Sequence, residues 1–166
     1  MSELAGERVG EIVAAWGRER PDVDVASIAV LAPLWRLAAR ATENRAEVLA
    51  EHGIDQSHLD VLGTLRRAGT PYRLTAGELT RRCRVTAGAT TQRVQAMERL
   101  GLVQRLREEP DRRTVHVQLT ADGLAAIDRI LGHVMAGDER MLSGLSPTER
   151  GALERALGRW LATLEA

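Results

Sequence analysis

Apolar residues recur at helical spacing along most of this 166-residue chain, and the points where that period breaks divide it into elements. Over residues 4–20, Val9, Ile12, Val13 and Trp16 share one face and Pro21 stops the run, which predicts a separate N-terminal helix. From 24 to about 51 a second stripe passes through Val25, Ile28, Leu31, Leu34, Trp35, Ala38, Ala41, Val48 and Leu49. Pro33 lies inside that stripe, so the pattern predicts a long helix kinked or restarted there. A third helix, capped by Asp55, extends through Arg67 to Gly69, where a left-handed residue is wanted, and Gly69, Thr70 and Pro71 form the turn.

Explicit start signals mark the later helices. Thr75-Ala-Gly-Glu78 and Ser146-Pro-Thr-Glu149 are capping boxes, and Thr120 can cap the segment that follows it. These signals predict helices over 75–82, 86–100, 121 to about 142, and 147–164. Between 102 and 119 the period shortens to two: Val103 and Leu106 precede a polar turn, after which Val115, Val117 and Leu119 alternate with His116 and Gln118. That is a β-hairpin flanked by helices. The predicted fold is therefore mainly α with a small β-hairpin wing. The expected organisation is N-terminal helices over 1–54, a winged helix-turn-helix over 55–120 and closing helices over 121–166, with no repeat or low-complexity linker.

Composition narrows the class. The chain has no Phe, one Tyr and three Trp, so its core must be built from Leu, Val, Ile and Ala, and each Trp needs its own explanation. Cys83 is the single cysteine, which forbids an intrachain disulfide and suits a reducing cytoplasm, the expected location. No apolar run approaches the ~18 residues of a membrane span, and the N-terminus lacks a leader pattern, so no membrane partner is expected. All 23 basic residues are arginines and balance 23 acids, leaving the distribution of charge to decide the partner.

That distribution is uneven. From Arg81 to Arg113 there are nine arginines against four acids, a local net of +5 in a neutral chain, which suits backbone phosphates. Two short helices joined by Cys83-Arg84-Val85 and followed by a two-stranded ribbon form a winged helix-turn-helix, whose second helix enters the DNA major groove. On a helical wheel, Ala87, Thr90, Val94 and Met97 fall on one face. Gly88, Thr91, Gln92, Gln95 and Arg99 fall on the other, with Thr86 at the helix start. Gln pairs bidentately with adenine, Arg with guanine, and a Thr methyl touches the thymine methyl, so the second face is expected to read bases.

The runs Leu59-Asp-Val-Leu-Gly-Thr-Leu65, Leu74-Thr-Ala-Gly-Glu-Leu79 and Gly101-Leu-Val-Gln-Arg105, with Asp111-Arg-Arg-Thr-Val-His-Val-Gln-Leu-Thr-Ala-Asp-Gly123, resemble the MarR family of transcriptional regulators over nearly the whole chain. The resemblance implies a homodimer assembled through N- and C-terminal helices, with two winged helices on a pseudo-palindromic double-stranded operator. It also implies that Arg113, with Arg112 beside it in the basic wing, reaches DNA. Arg113 enters the minor groove while Asp111 holds the wing's local geometry.

The extra N-terminal helix and Trp16-Gly-Arg-Glu-Arg-Pro-Asp22 resemble one branch of the family, the urate-responsive, PecS-like regulators. That branch pairs a Trp in the first helix, an Asp in the helix before the helix-turn-helix, an Arg in the recognition helix and an Arg entering the wing, matching Trp16, Asp60, Arg93 and Arg105. The wheel places Arg93 beside Ala89, Ala96 and Leu100, off the groove-facing side, and puts Asp60 on a polar stripe with Thr64 and Arg67. The resemblance implies a repressor released by a small anionic aromatic effector such as urate. Trp16 and Arg105 supply an aromatic surface and a guanidinium fork, and Asp60 acts as the switch on Arg93. Pro33 and the absence of Lys depart from the branch pattern.

Three rival classes are weaker in sequence. No nucleophile elbow, phosphate loop, paired-cysteine or zinc-protease motif is present, so an enzyme, a cofactor and a catalytic metal are not expected. A regulator responding to thiol oxidation would use Cys83, which has no resolving partner in its own chain. A metal-responsive regulator would draw on His52, Asp55 and His58.

Overall fold

The structure is a computed structural model that describes residues 8–107 and 114–165. Two compact units form, Met1–Asn44 and Arg45–Ala166. In the first, α1 (Val9–Glu19) buries Ile12. Its end is followed by an Arg20–Asp22 ion pair of 2.7 Å and by Asp24 Oδ1 accepting the Ala26 N–H at 2.9 Å. Those turns delay the next helix, so α2 (Ile28–Glu51) starts four residues after the expected Asp24.

Helix α2 is one continuous element through Pro33, so of the kink or restart expected there the restart does not occur. Proline removes one hydrogen bond and its ring crowds the carbonyl four residues earlier, so the local damage falls on the helix's first turns. The entry of the helix is wound with three-residue bonds, Ile28 N–H to Val25 O, Ala29 N–H to Ala26 O and Val30 N–H to Ser27 O, before Leu31 N–H bonds to Ser27 O four residues back at 2.9 Å.

The second unit carries α3 (Gln56–Arg67), β1 (Arg73–Thr75), α4 (Ala76–Cys83), α5 (Ala87–Arg99), β2 (Val103–Arg107), β3 (Val115–Leu119), α6 (Ala121–Met141) and α7 (Pro147–Glu165). Asp55 caps α3 by accepting the His58 N–H at 2.9 Å, and Gly69 adopts φ 78° after its end. The Thr75–Glu78 and Ser146–Glu149 boxes are both formed. The strands make one antiparallel sheet in the order β1-β3-β2, with Leu74 and Arg105 both opposite Val117. The expected hairpin is thus joined by a third strand, β1, which three residues cannot announce by alternation.

The core of this unit gathers the apolar faces on which the elements meet: Val61, Leu62 and Leu65 from α3, Leu79 from α4, Val94 and Met97 from α5, Val117 from the sheet, and Ile127 and Ile130 from α6. It is aliphatic, as the composition requires. One close approach fixes how α6 leaves the sheet. Thr120 Oγ1 donates to Gly101 O at 2.7 Å and accepts the Gly123 N–H at 2.9 Å, while a Cβ on Gly123 would lie 1.9 Å from Leu102 O. Only glycine fits there. Helix α7 buries none of its residues, and Leu153, Leu157, Trp160, Leu161 and Leu164 are exposed along it. No helix among the described residues is long and apolar enough to cross a membrane.

Candidate nucleic-acid interface and effector site

The helix-turn-helix is built by two caps and one left-handed residue. Helix α4 ends at Cys83, and Arg84 at φ 54° turns the chain, its N–H bonding back to Arg81 O at 3.3 Å. Thr86 then caps α5, accepting the Ala89 N–H at 3.2 Å. Thr80 Oγ1 donates to the buried Thr90 Oγ1 at 2.8 Å, locking the two helices at their crossing.

This packing sets the face of α5. Thr90, Val94 and Met97 are buried, and Thr86, Gly88, Thr91, Gln92, Gln95 and Arg99 are all exposed together. A Cβ on Gly88 would meet nothing within 4 Å, so the backbone at the head of the helix is open to an incoming surface. Ala87, assigned to the buried side by the wheel, is exposed instead, because it lies in the first turn, before α5 reaches the core. Asp111, Arg112 and Arg113 lie outside the described residues.

Arg93 leaves the groove-facing side and approaches α3. Its Nη1 stands 3.9 Å from Asp60 Oδ2, with the arginine side chain 23% exposed and the aspartate 42%. That nitrogen is buried without a hydrogen-bond partner, while Asp60 Oδ1 accepts from Gln56 Nε2 at 2.8 Å. Asp60 therefore holds Arg93 by charge at a distance longer than a hydrogen bond, an arrangement a small displacement can tighten or break.

Arg105 is placed elsewhere. Its Nε lies 3.2 Å from Glu98 Oε2, its N–H donates to Glu98 Oε1 at 3.2 Å and its Nη2 to Thr91 O at 3.3 Å. Glu98 thus straps the wing strand β2 to the recognition helix, a role sequence reasoning missed because the two residues meet across the Gly101 turn. A cavity of about 460 Å³ opens between α5 and the sheet beside Arg105, lined also by Thr91 and Val115. Asp60 lines a different cavity of about 480 Å³, between α3, the end of α4 and α6, with Arg67, Arg82, Cys83, Leu131 and Met135 among its walls. Trp16 belongs to the first unit and is half-exposed. Of the four effector residues, Asp60 and Arg93 are brought together, and Arg105 sits in its own setting on the opposite side of α5.

The stripe through Asp60 also departs from expectation. Thr64 is buried, because Arg67 Nη2 donates to its hydroxyl at 3.1 Å and Cys83 Sγ lies 3.6 Å from it. His52, Asp55 and His58 do not converge. Asp55 and His58 cap α3, His52 Nε2 shares a 2.9 Å hydrogen bond with His133 Nδ1, and no group of three potential metal ligands forms among the described residues.

Residues 52–114 match the MarR family model. The chain is 32% identical over 151 residues to the HTH-type transcriptional regulator PecS of Dickeya dadantii, covering 91% of each chain. Among solved structures it superposes on a MarR family protein from Bacillus stearothermophilus with a TM-score of 0.70 at 27% identity, covering 87% of this chain and 99% of that one. It also superposes on a mutant of E. coli MarR complexed with operator DNA, with a TM-score of 0.67 at 24% identity, covering 84% and 99%. The exposed recognition face, the sheet beside it and these likenesses converge: the chain belongs to the MarR family and is a DNA-binding winged-helix transcriptional regulator, not an enzyme.

Proposed function

We propose that this regulator binds a pseudo-palindromic operator as a homodimer, represses from it, and is released by a small anionic aromatic effector such as urate. Gln92, Gln95 and Arg99 read base edges from the exposed face of α5, with Thr91 and the open backbone at Gly88 in contact with the duplex. Thr86, at the helix start, meets a phosphate, and of the wing sequence Arg113 enters the minor groove while Arg112 adds to the DNA contact. The unpartnered apolar row on α7 suits a second copy of the chain, which would cover Leu157, Trp160 and Leu161.

The observation that carries the effector reading is the loose Asp60–Arg93 pair, which joins the helix before the helix-turn-helix to the recognition helix itself. An anion arriving near Asp60 adds like-charge repulsion and competes for Arg93. Arg93 then shifts, and the recognition helix with it, so that the two half-sites no longer fit. Trp16 supplies the aromatic surface for the effector. Arg105 joins it only by exchanging Glu98 for the effector's charge. The likeness to PecS supports the branch assignment. Titrating urate against a preformed protein–operator complex at fixed salt tests the proposal: release at urate concentrations that leave a non-cognate MarR-type complex intact supports it, and no release removes urate as effector.

A further inference from the structure

We propose that Arg84, the residue that turns the chain between α4 and α5, is a DNA phosphate contact at the wall of the major groove, one in each protomer. The inference rests on DNA binding by the winged helix and is independent of the operator's sequence and of any effector.

Backbone conformation singles Arg84 out. Among the described residues, Tyr72 and Arg84 are the non-glycine residues with positive φ, at 60° and 54°. Glycine takes this conformation freely, whereas a residue with a Cβ is strained there unless something offsets the strain. At Tyr72 the offset lies within the fold: the ring packs against the core of the second unit, and the Arg66 guanidinium covers it at 5.0 Å from its centre. At Arg84 the backbone closes α4, but the side chain is exposed and forms no hydrogen bond or ion pair with a described residue. It stands at the mouth of the cavity behind the turn, where no such bond fixes its guanidinium. The free protein gains nothing from an arginine here that glycine would not supply with less strain, so the gain falls in a bound state.

The charge of the segment points the same way. Arg81 and Arg82 share the field of Glu78 on their own helix, Arg93 faces Asp60 at 3.9 Å, and Arg105 is held by Glu98 at 3.2 Å. Of the arginines from 81 to 105, that leaves Arg84 and Arg99 without an ion pair to a described carboxylate. Arg99 ends the exposed face of α5 and Arg84 precedes its head, so uncompensated positive charge brackets the recognition helix. A polyanion is the partner such charge attracts.

The surface between them leaves the approach open. From Arg84 to Thr91 the exposed residues in between are Thr86, Ala87 and Gly88, whose side chains are short or absent. An α-helix about 10–12 Å across fills a major groove ~12 Å wide, so a residue just off the helix head falls where the groove wall carries phosphates. Arg84 is such a residue, two positions before the Thr86 cap. Its planar fork fits phosphate oxygens.

Salt titrations of the full-length protein on a random-sequence duplex test the assignment, because each phosphate contact adds about 0.9 to the slope of log K against log salt. Arg84→Gln should lower that slope by ~0.9 per bound protomer, weakening binding roughly tenfold near 50 mM salt and only a few-fold near 200 mM. Arg84→Lys keeps the charge and should keep the slope. Arg84→Gly removes charge and strain together, so it should melt close to wild type or above it while binding as weakly as Arg84→Gln. A purely structural role would not separate stability from binding in this way. Arg159→Gln, on α7, controls for net charge and should leave the slope unchanged. A wild-type slope in Arg84→Gln overturns the inference, as does an equal loss of slope in Arg84→Lys or Arg159→Gln. A fall in the melting temperature of Arg84→Gly that accounts for its weaker binding overturns it too. Wild-type protein that binds no duplex at any salt concentration would overturn both this contact and the DNA-binding reading beneath it.

Discussion

Glu98 and Arg105 are joined twice, once through the Arg105 backbone N–H at 3.2 Å and once through its guanidinium at 3.2 Å. Because β2 is an edge strand, that N–H would otherwise face solvent unpaired, and the carboxylate both satisfies it and fixes the wing against α5. Replacing Glu98 with Ala should leave the fold intact and loosen the angle between wing and recognition helix. Operator affinity should fall several-fold, the equivalent of about 1 kcal/mol, while affinity for random duplex stays the same or rises with the freed guanidinium. Binding assays on both duplexes at one salt concentration check this; an equal loss on both would show that the strap does not govern specificity.

Gly123 stands where a Cβ would meet Leu102 O at 1.9 Å, and the obstacle is backbone, which cannot swing aside. Gly123→Ala should cost ~1–3 kcal/mol of stability, an overpacking penalty, and lower the melting temperature accordingly. Gly132→Ala, on the same helix with nothing within 4 Å of the added carbon, is the control and should be neutral or slightly stabilising.

The Thr75 backbone N–H, and then its hydroxyl, hold the Glu78 carboxyl below its ordinary value of 4.5. A carboxylate with a depressed folded pKa stabilises the fold above its unfolded value, and that stability is lost as pH falls through the folded one. Wild type should therefore lose stability as pH drops from about 4.5 downward, and Glu78→Gln should lose less over the same interval. Melting temperatures measured across that range decide it; parallel curves would show the capping box contributes nothing pH-dependent.

Gln92 lies on the exposed face of α5, and Arg113 lies in the wing sequence. Gln92→Ala should relax preference at particular base pairs, at about 1–3 kcal/mol for the pair it reads. Arg113→Ala should weaken binding to all operator variants, most where the flanks are A·T-rich. A panel of single-base operator variants separates the two patterns, and identical profiles would contradict the division of labour.

What could be read from sequence followed the range of the interactions. Caps and turns are local, so Asp55, Thr75–Glu78, Gly69 and Ser146–Glu149 announce themselves within four residues. The exposed row from Gly88 to Arg99 follows from one helix and its period. Strand β1 exists only because β3, far along the chain, pairs with it, and Thr64 is buried only because Arg67 and Cys83 close over it. Likewise, Glu98 is visible as an acid within a basic segment, but its grip on Arg105 depends on how β2 folds back along α5. At Pro33 the local rule predicts a kink or a restart, and the restart does not occur, since α2 continues through the proline on the strength of the residues that follow it.

The Asp60–Arg93 pair is the hinge of the proposed response, and Asp60→Asn removes the charge while nearly keeping the shape. The most direct test titrates urate against preformed operator complexes of wild type and Asp60→Asn at fixed salt, with effector binding to each free protein measured alongside. The proposed switch predicts that the variant binds urate at least as well as wild type, since the repulsion is gone, yet keeps its operator at urate concentrations that release wild type. A variant that releases DNA at the same urate concentration as wild type would contradict it.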